Sequence, residues 1–213
     1  MSGCGCGEEI EATEQAERKV LLTLLVINGV MFVVELVAGL VADSTGLIAD
    51  SLDMLADATV YGIAFYAVGR SLTAKRHAAV LSGGFQILLA LGVAFDVLRR
   101  AIHGSEPLSD IMMIVGTIAL VANLSCLALL SKHREGEVHM RASWIFSVND
   151  VLANLGVILG GVLVMASGSR WPDLVIGAVI VLLVMRGGVR ILQDARRLET
   201  RPVSASCTNV ADS

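Results

Sequence analysis

Aromatic side chains are scarce, with five Phe, two Trp and two Tyr in 213 residues. That leaves no stacking platform for nucleic-acid bases and few rings to wall a cavity for organic cations. There is also no concentrated basic face, so the chain does not read as a nucleic-acid binder. The four cysteines, Cys4, Cys6, Cys126 and Cys207, are too scattered for a disulfide framework. The first twenty residues are acidic and lack the basic head of a secretory signal. No Gly-x-Gly-Asp segment is present, which argues against an intramembrane aspartyl protease.

Apolar residues are abundant instead. They make up 55% of the chain, and mean hydropathy is +0.74. A soluble globule is not built this way; a multi-span helical membrane protein is. Six apolar stretches lie at about residues 20–42, 45–69, 78–102, 111–131, 142–166 and 173–193. The expected fold is therefore an all-α membrane protein, a bundle of six transmembrane helices. A flexible acidic, cysteine-containing tail is expected over 1–17, the membrane domain over 18–195 and a short tail over 196–213. Six spans put both termini on one side. Of the sixteen Lys and Arg, only Arg99, Arg100 and Arg170 fall on the other. The excess of basic residues beside the termini places that side in the cytoplasm.

The second span carries three acids, Asp50, Asp53 and Asp57. Positions i, i+3 and i+7 of a helix fall within about 60° of each other, so the three carboxylates share a face. A carboxylate at mid-bilayer costs about 2.5–3.5 kcal/mol on insertion scales. Such a face must line a protein interior or a wet cavity, where a divalent cation or protons offset the repulsion. The fifth span repeats the spacing with Ser147, Asp150 and Asn154. Two polar stripes at similar depth pack most simply against each other, bringing Asp53, Asp57 and Asp150 together. Gly156, Gly160 and Gly161 permit close helix approach there. Three carboxylates and one further ligand suit a tetrahedral divalent ion. The alternative is an uncharged, hydrogen-bonded structural core.

Other polar residues have two readings each. Asn28 and Glu35 sit seven apart in the first span and either face the same cavity or join neighbouring helices. Cys4 and Cys6 form a C-x-C that either collects soft metal or is a solvated terminus. His77 and His139 flank cytosolic span ends, as metal-entry residues or as ordinary surface. Gln86 and Asp96 lie inside the third span, and Asn123 and Cys126 inside the fourth.

The run Asp53-Met-Leu-Ala-Asp57 resembles the H/D-x-x-x-D metal motif of the cation diffusion facilitator family, with Asp50 at its upstream acid. The segment Asp150-Val-Leu-Ala-Asn-Leu-Gly is similar to that family's fifth-span motif, and Trp171-Pro172-Asp173 is loosely similar to its Asp-Pro opening of the sixth span. The resemblance covers residues ~20–195. It departs at Phe146, where the family has His or Asp. No family-type C-terminal cytosolic domain is expected in the stretch after the sixth span, and the loop holding His133 and His139 is not the family's long His-rich one.

The resemblance implies a shortened, bacterial-type divalent-metal exporter of the inner membrane, driven by proton antiport. Such a protein is a transporter and not an enzyme. Its metal is cargo and no prosthetic group is implied. Zn²⁺ leads the expected cargoes, with Co²⁺ or Cd²⁺ next. Asp53, Asp57 and Asp150 are the implied ligands; the candidates for the place lost at Phe146 are water, Asn154, Ser147 and Asp50, the alternative being a site that binds metal less tightly. The expected partners are the lipid bilayer, divalent ions, protons and a second copy in a homodimer. The competing readings are a non-transporting membrane metal sensor or accessory protein, and a proton-coupled exporter of another cation.

Overall fold

Among the described residues, six helices follow the six apolar stretches. The computed structural model describes residues 5–67, 72–131 and 138–200, with no strand among them. The helices are α1 (Gly5–Val41), α2 (Thr45–Ala67), α3 (Leu72–His103), α4 (Ser109–Ser131), α5 (Val138–Ser167) and α6 (Trp171–Thr200). Helix α1 begins well before its apolar run, in a stretch the sequence reads as a tail. Residues 8–17 are rich in Glu, Ala and Gln, which favour helix on their own.

Among the described residues, five segments are long and apolar enough to cross a membrane: Arg18–Val41, Ala79–His103, Ser109–Ser131, Asp150–Ser167 and Trp171–Gln193. Helix α2 is as long as α4, at 23 residues, but holds the three aspartates. Its placement explains how it carries them. It touches every other helix, and from Thr45 to Leu52 each residue is buried. Among the described residues, its one large exposed hydrophobic is Tyr66. The outer helices show the opposite pattern. On α1, Leu22, Val26, Val30, Val33 and Val37 are exposed at helical spacing, a stripe suited to lipid. The acids are thus shielded by protein, as a bilayer requires.

A three-residue turn, Ala42-Asp43-Ser44, folds α1 back onto α2. Asp43 takes a left-handed φ of 50°, a conformation that Asp tolerates better than most residues. Ser44 caps α2, its Oγ accepting from the Leu47 amide at 3.2 Å. Gly39 permits the close return, since a Cβ there would lie 2.8 Å from Ile48 Cγ1.

A second cap comes from the far end of the sequence. Asp173, in the first turn of α6, is fully buried. Its carboxylate accepts from Ser44 Oγ at 2.7 Å, the Thr45 amide at 2.7 Å and the Gly46 amide at 2.9 Å. An anion at a helix start satisfies orphan amides and complements the helix dipole. Beside it, Arg100 bonds the Asp43 carbonyl at 2.6 Å and pairs with the Asp43 and Asp96 carboxylates. Leu108 donates to the Ala42 carbonyl at 2.9 Å. These links gather the α1–α2 turn, α3, the start of α4 and α6 at one end of the bundle. Asp173→Ala is expected to cost about 2–3 kcal/mol, because it strips several buried donors of their acceptor. Thermal unfolding of the purified variant in detergent checks this.

Helices α3 and α6 form a close pair. A Cβ on Gly83 would lie 3.0 Å from the Gly188 carbonyl, and one on Gly188 would lie 3.2 Å from the Gly83 carbonyl. The Gln86 side chain spans the same crossing, its Nε2 donating to the Val184 carbonyl at 3.1 Å.

Candidate cation site

Asp53 and Asp57 are one helical turn apart on α2 and project the same way. Opposite them, α5 presents Asp150. Asp150 therefore faces Asp53 and Asp57 across a shared cavity. All three line one cavity of about 200 Å³. Asp57 and Asp150 are almost fully buried, at 6% and 5% exposure, and Asp53 is partly exposed. The Tyr61 hydroxyl donates to Asp57 Oδ2 at 3.3 Å, fixing that carboxylate from the next turn.

The cavity has a direction. From the acids its wall continues to Val60 on α2 and to Arg190 and Ile191 on α6. These residues lie toward the end that carries both termini. The other way, α2 is enclosed from Leu52 back to its caps. Buried Leu47, Ile48, Ala49 and Leu52 pack there with Ala90, Val93, Met112, Val157 and Ile180.

The remaining sequence candidates fall elsewhere. Asp50 and Asn154 are not in the cavity wall. They are fully buried behind it, and Asn154 Nδ2 donates to the Asp150 carbonyl at 2.7 Å and to Asp50 Oδ1 at 3.5 Å. Glu35 and Asn28 are also fully enclosed and outside the wall. Asn28 donates to the Leu24 carbonyl at 2.9 Å and to Cys126 Sγ at 3.8 Å. Asp96 is an ion-pair partner of Arg99 and Arg100. His77 is exposed near the start of α3. Cys4 and the side chains of Cys6, His139, Phe146 and Ser147 lie outside the described residues.

The cavity also contains groups that the sequence did not single out for it. Gln86, from α3, and Arg186 and Arg190, from α6, complete its wall. The signal was available in outline. Arg186 and Arg190 are one turn apart, and Gly187 between them faces Gln86 Nε2 at 3.2 Å from its would-be Cβ. What spacing alone did not reveal was that α6 turns this face toward the acids.

Chemically the site offers hard anionic oxygens in a space large enough for a hydrated ion. Among the described residues, no three His, Cys, Asp or Glu side chains close around a single ion-sized point. The carboxylates line a wall and do not form a finished cage. A wall of this kind suits a cation that enters and leaves.

Residues 21–198 match the family of the cation efflux transmembrane domain. The chain is similar to a cadmium, cobalt and zinc/H(+)-K(+) antiporter of Bacillus subtilis, 25% identical over 197 residues, which are 85% of this chain and 63% of that protein. It is similar to the metal cation efflux system protein CzcD of Cupriavidus metallidurans, 27% identical over 198 residues, 86% of this chain and 61% of the relative. A shorter match, 26% over 121 residues, covers 55% of this chain and 39% of the zinc transporter ZitB of Escherichia coli. The chain spans less than two thirds of the length of these curated relatives.

Proposed function

This chain belongs to the cation efflux transmembrane family, and we propose on that footing that it exports divalent metal from the cytoplasm in exchange for protons. The observation that carries the reading is the shared cavity, in which carboxylates from α2 and α5 meet within the bundle. Asp53, Asp57 and Asp150 are the ligands. A water molecule or the Gln86 carboxamide completes the shell. Zn²⁺ is the leading cargo, followed by Co²⁺ and Cd²⁺, which fits the names of the relatives.

The cavity faces the end of the bundle that holds both termini. With those termini in the cytoplasm of a bacterial cell, this is the loading state. A cytosolic ion meets ionised carboxylates and binds, because ligation requires them free of protons. Export needs the cap formed by Asp173 and the turn residues to part while the cavity mouth closes. Protons from the outside then compete for the same oxygens and displace the metal. Arg186 and Arg190, at the cavity, offset part of the acidic charge, which favours release over permanent capture.

The test uses everted membrane vesicles with the full chain. Energised vesicles are expected to accumulate ⁶⁵Zn²⁺, and a protonophore that collapses the pH gradient is expected to stop accumulation. Zinc addition should also discharge part of a preformed gradient. Vesicles that show neither flux would refute the transport reading and favour a metal-sensing membrane protein.

A further inference from the structure

The turn between α1 and α2 sets two more acids at one level. Glu35 lies eight residues before Asp43, and Asp50 lies seven after it. In an antiparallel hairpin those positions stand side by side, about 11–12 Å from the turn at 1.5 Å per residue. Asp53 and Asp57 are one and two turns further toward the termini. Asn154 on α5 is likewise one turn closer to the sealed end than Asp150. The group Glu35, Asp50 and Asn154 therefore sits between the metal cavity and the closed end of the bundle.

All three residues are fully buried. Four of their oxygens have no hydrogen-bond partner: both of Glu35, Oδ2 of Asp50 and Oδ1 of Asn154. Buried carboxylates are normally paired or fully hydrogen-bonded. Here the described parts of α2, α4 and α5 contain no basic residue in contact range of the group: α2 and α4 have none at all, and neither does α5 from residue 148 onward. The donor set is oxygen only, with two carboxylates and one carboxamide, which is the chemistry of a hard or borderline divalent ion.

We propose that Glu35, Asp50 and Asn154 form a second, transient station for the divalent cation, entered after the Asp53/Asp57/Asp150 cavity and facing the outside when the capped end opens. This rests on the export reading above. The unsatisfied oxygens are the docking points, and by helical register the station lies between the cavity and the sealed end. Two carboxylates in place of three make it the weaker of the two sites, which suits a release step.

The full chain in proteoliposomes provides the test, with ⁶⁵Zn²⁺ as probe. Zinc-for-zinc exchange without a pH gradient reads the path of the metal alone, and zinc binding in detergent reads the cavity. Glu35→Gln is expected to leave binding affinity within about twofold while slowing exchange by about tenfold or more. Glu35→Asp, which restores a carboxylate, should recover most of the exchange. Asp50→Asn should behave as Glu35→Gln does and serves if that variant does not fold. Unchanged exchange in both neutral variants overturns the proposal, as does a parallel loss of binding and exchange. Normal exchange with loss of pH-driven accumulation also overturns it, because the group would then serve the counter-proton. If wild-type protein exchanges no zinc, the export reading itself fails.

Discussion

Asp57→Asn is expected to cut metal-dependent flux by about 100-fold or more while leaving the protein folded, and more stable without metal. The two effects have one cause. Asp57 is nearly buried on the central helix, and an acidic group there carries about 2.5–3.5 kcal/mol of insertion cost on membrane scales. Asparagine has the same shape without the charge. Its carbonyl oxygen can still accept from Tyr61, whose hydroxyl now bonds the carboxylate at 3.3 Å. Packing is therefore kept and desolvation is relieved. The metal, however, loses one of three anionic oxygen sources, and with it much of the attraction that offsets its own dehydration. Asp53→Asn should behave likewise. Metal should raise the melting temperature of the wild type, by an amount set by about 2.7 kcal/mol at a hundred times the dissociation constant, and should not raise that of either variant. A variant that transports normally, or one destabilised without metal, contradicts this.

The second large effect concerns the sealed end. A Cβ on Gly177 would lie 2.8 Å from Thr45 Cγ2 and 3.0 Å from the Thr45 carbonyl carbon and oxygen. Backbone atoms cannot swing aside as a side chain does. Gly177→Val must push the start of α6 away from the start of α2, and the Asp173 cap spans that junction at 2.7–2.9 Å. Overpacking of this kind costs about 1–3 kcal/mol, and with the cap weakened the upper end applies, about 6–12 °C in melting temperature for a chain of this size. Gly29→Ala is the control, since nothing lies within 4 Å of its would-be Cβ. There the better helix propensity of Ala should gain up to about 1 kcal/mol. If both variants melt together, the close approach of α2 and α6 is not what holds the sealed end.

Much of this architecture was legible from spacing. Helical periodicity puts Asp53 and Asp57 on one face, and the same interval in the fifth span singled out Asp150. Both conclusions need only the geometry of a single helix. Asp50 shows the limit. It shares the face of Asp53 by angle, yet it lies a turn deeper, fully buried and outside the wall of the acid-lined cavity. Angle was readable, but depth was not. Asp173 looked like part of a motif opening a span; its contact with Ser44 joins residues 129 positions apart, which no local pattern encodes. Gln86, Arg186 and Arg190 were hidden for a related reason, since a helix's own sequence does not state which neighbour its polar face will meet. The pairing of Glu35 with Asp50 was within reach, because a turn of three residues fixes register across a hairpin.

One ion shared by two helices is the claim on which the rest stands, and cobalt binding to the purified chain reads it directly. Equilibrium dialysis combined with X-ray absorption is expected to find one Co²⁺ per chain in a shell of oxygens, and to find that Asp57→Asn on α2 and Asp150→Asn on α5 each abolish that same ion. Two independent sites, one lost with each variant, or full cobalt occupancy in either, would contradict it.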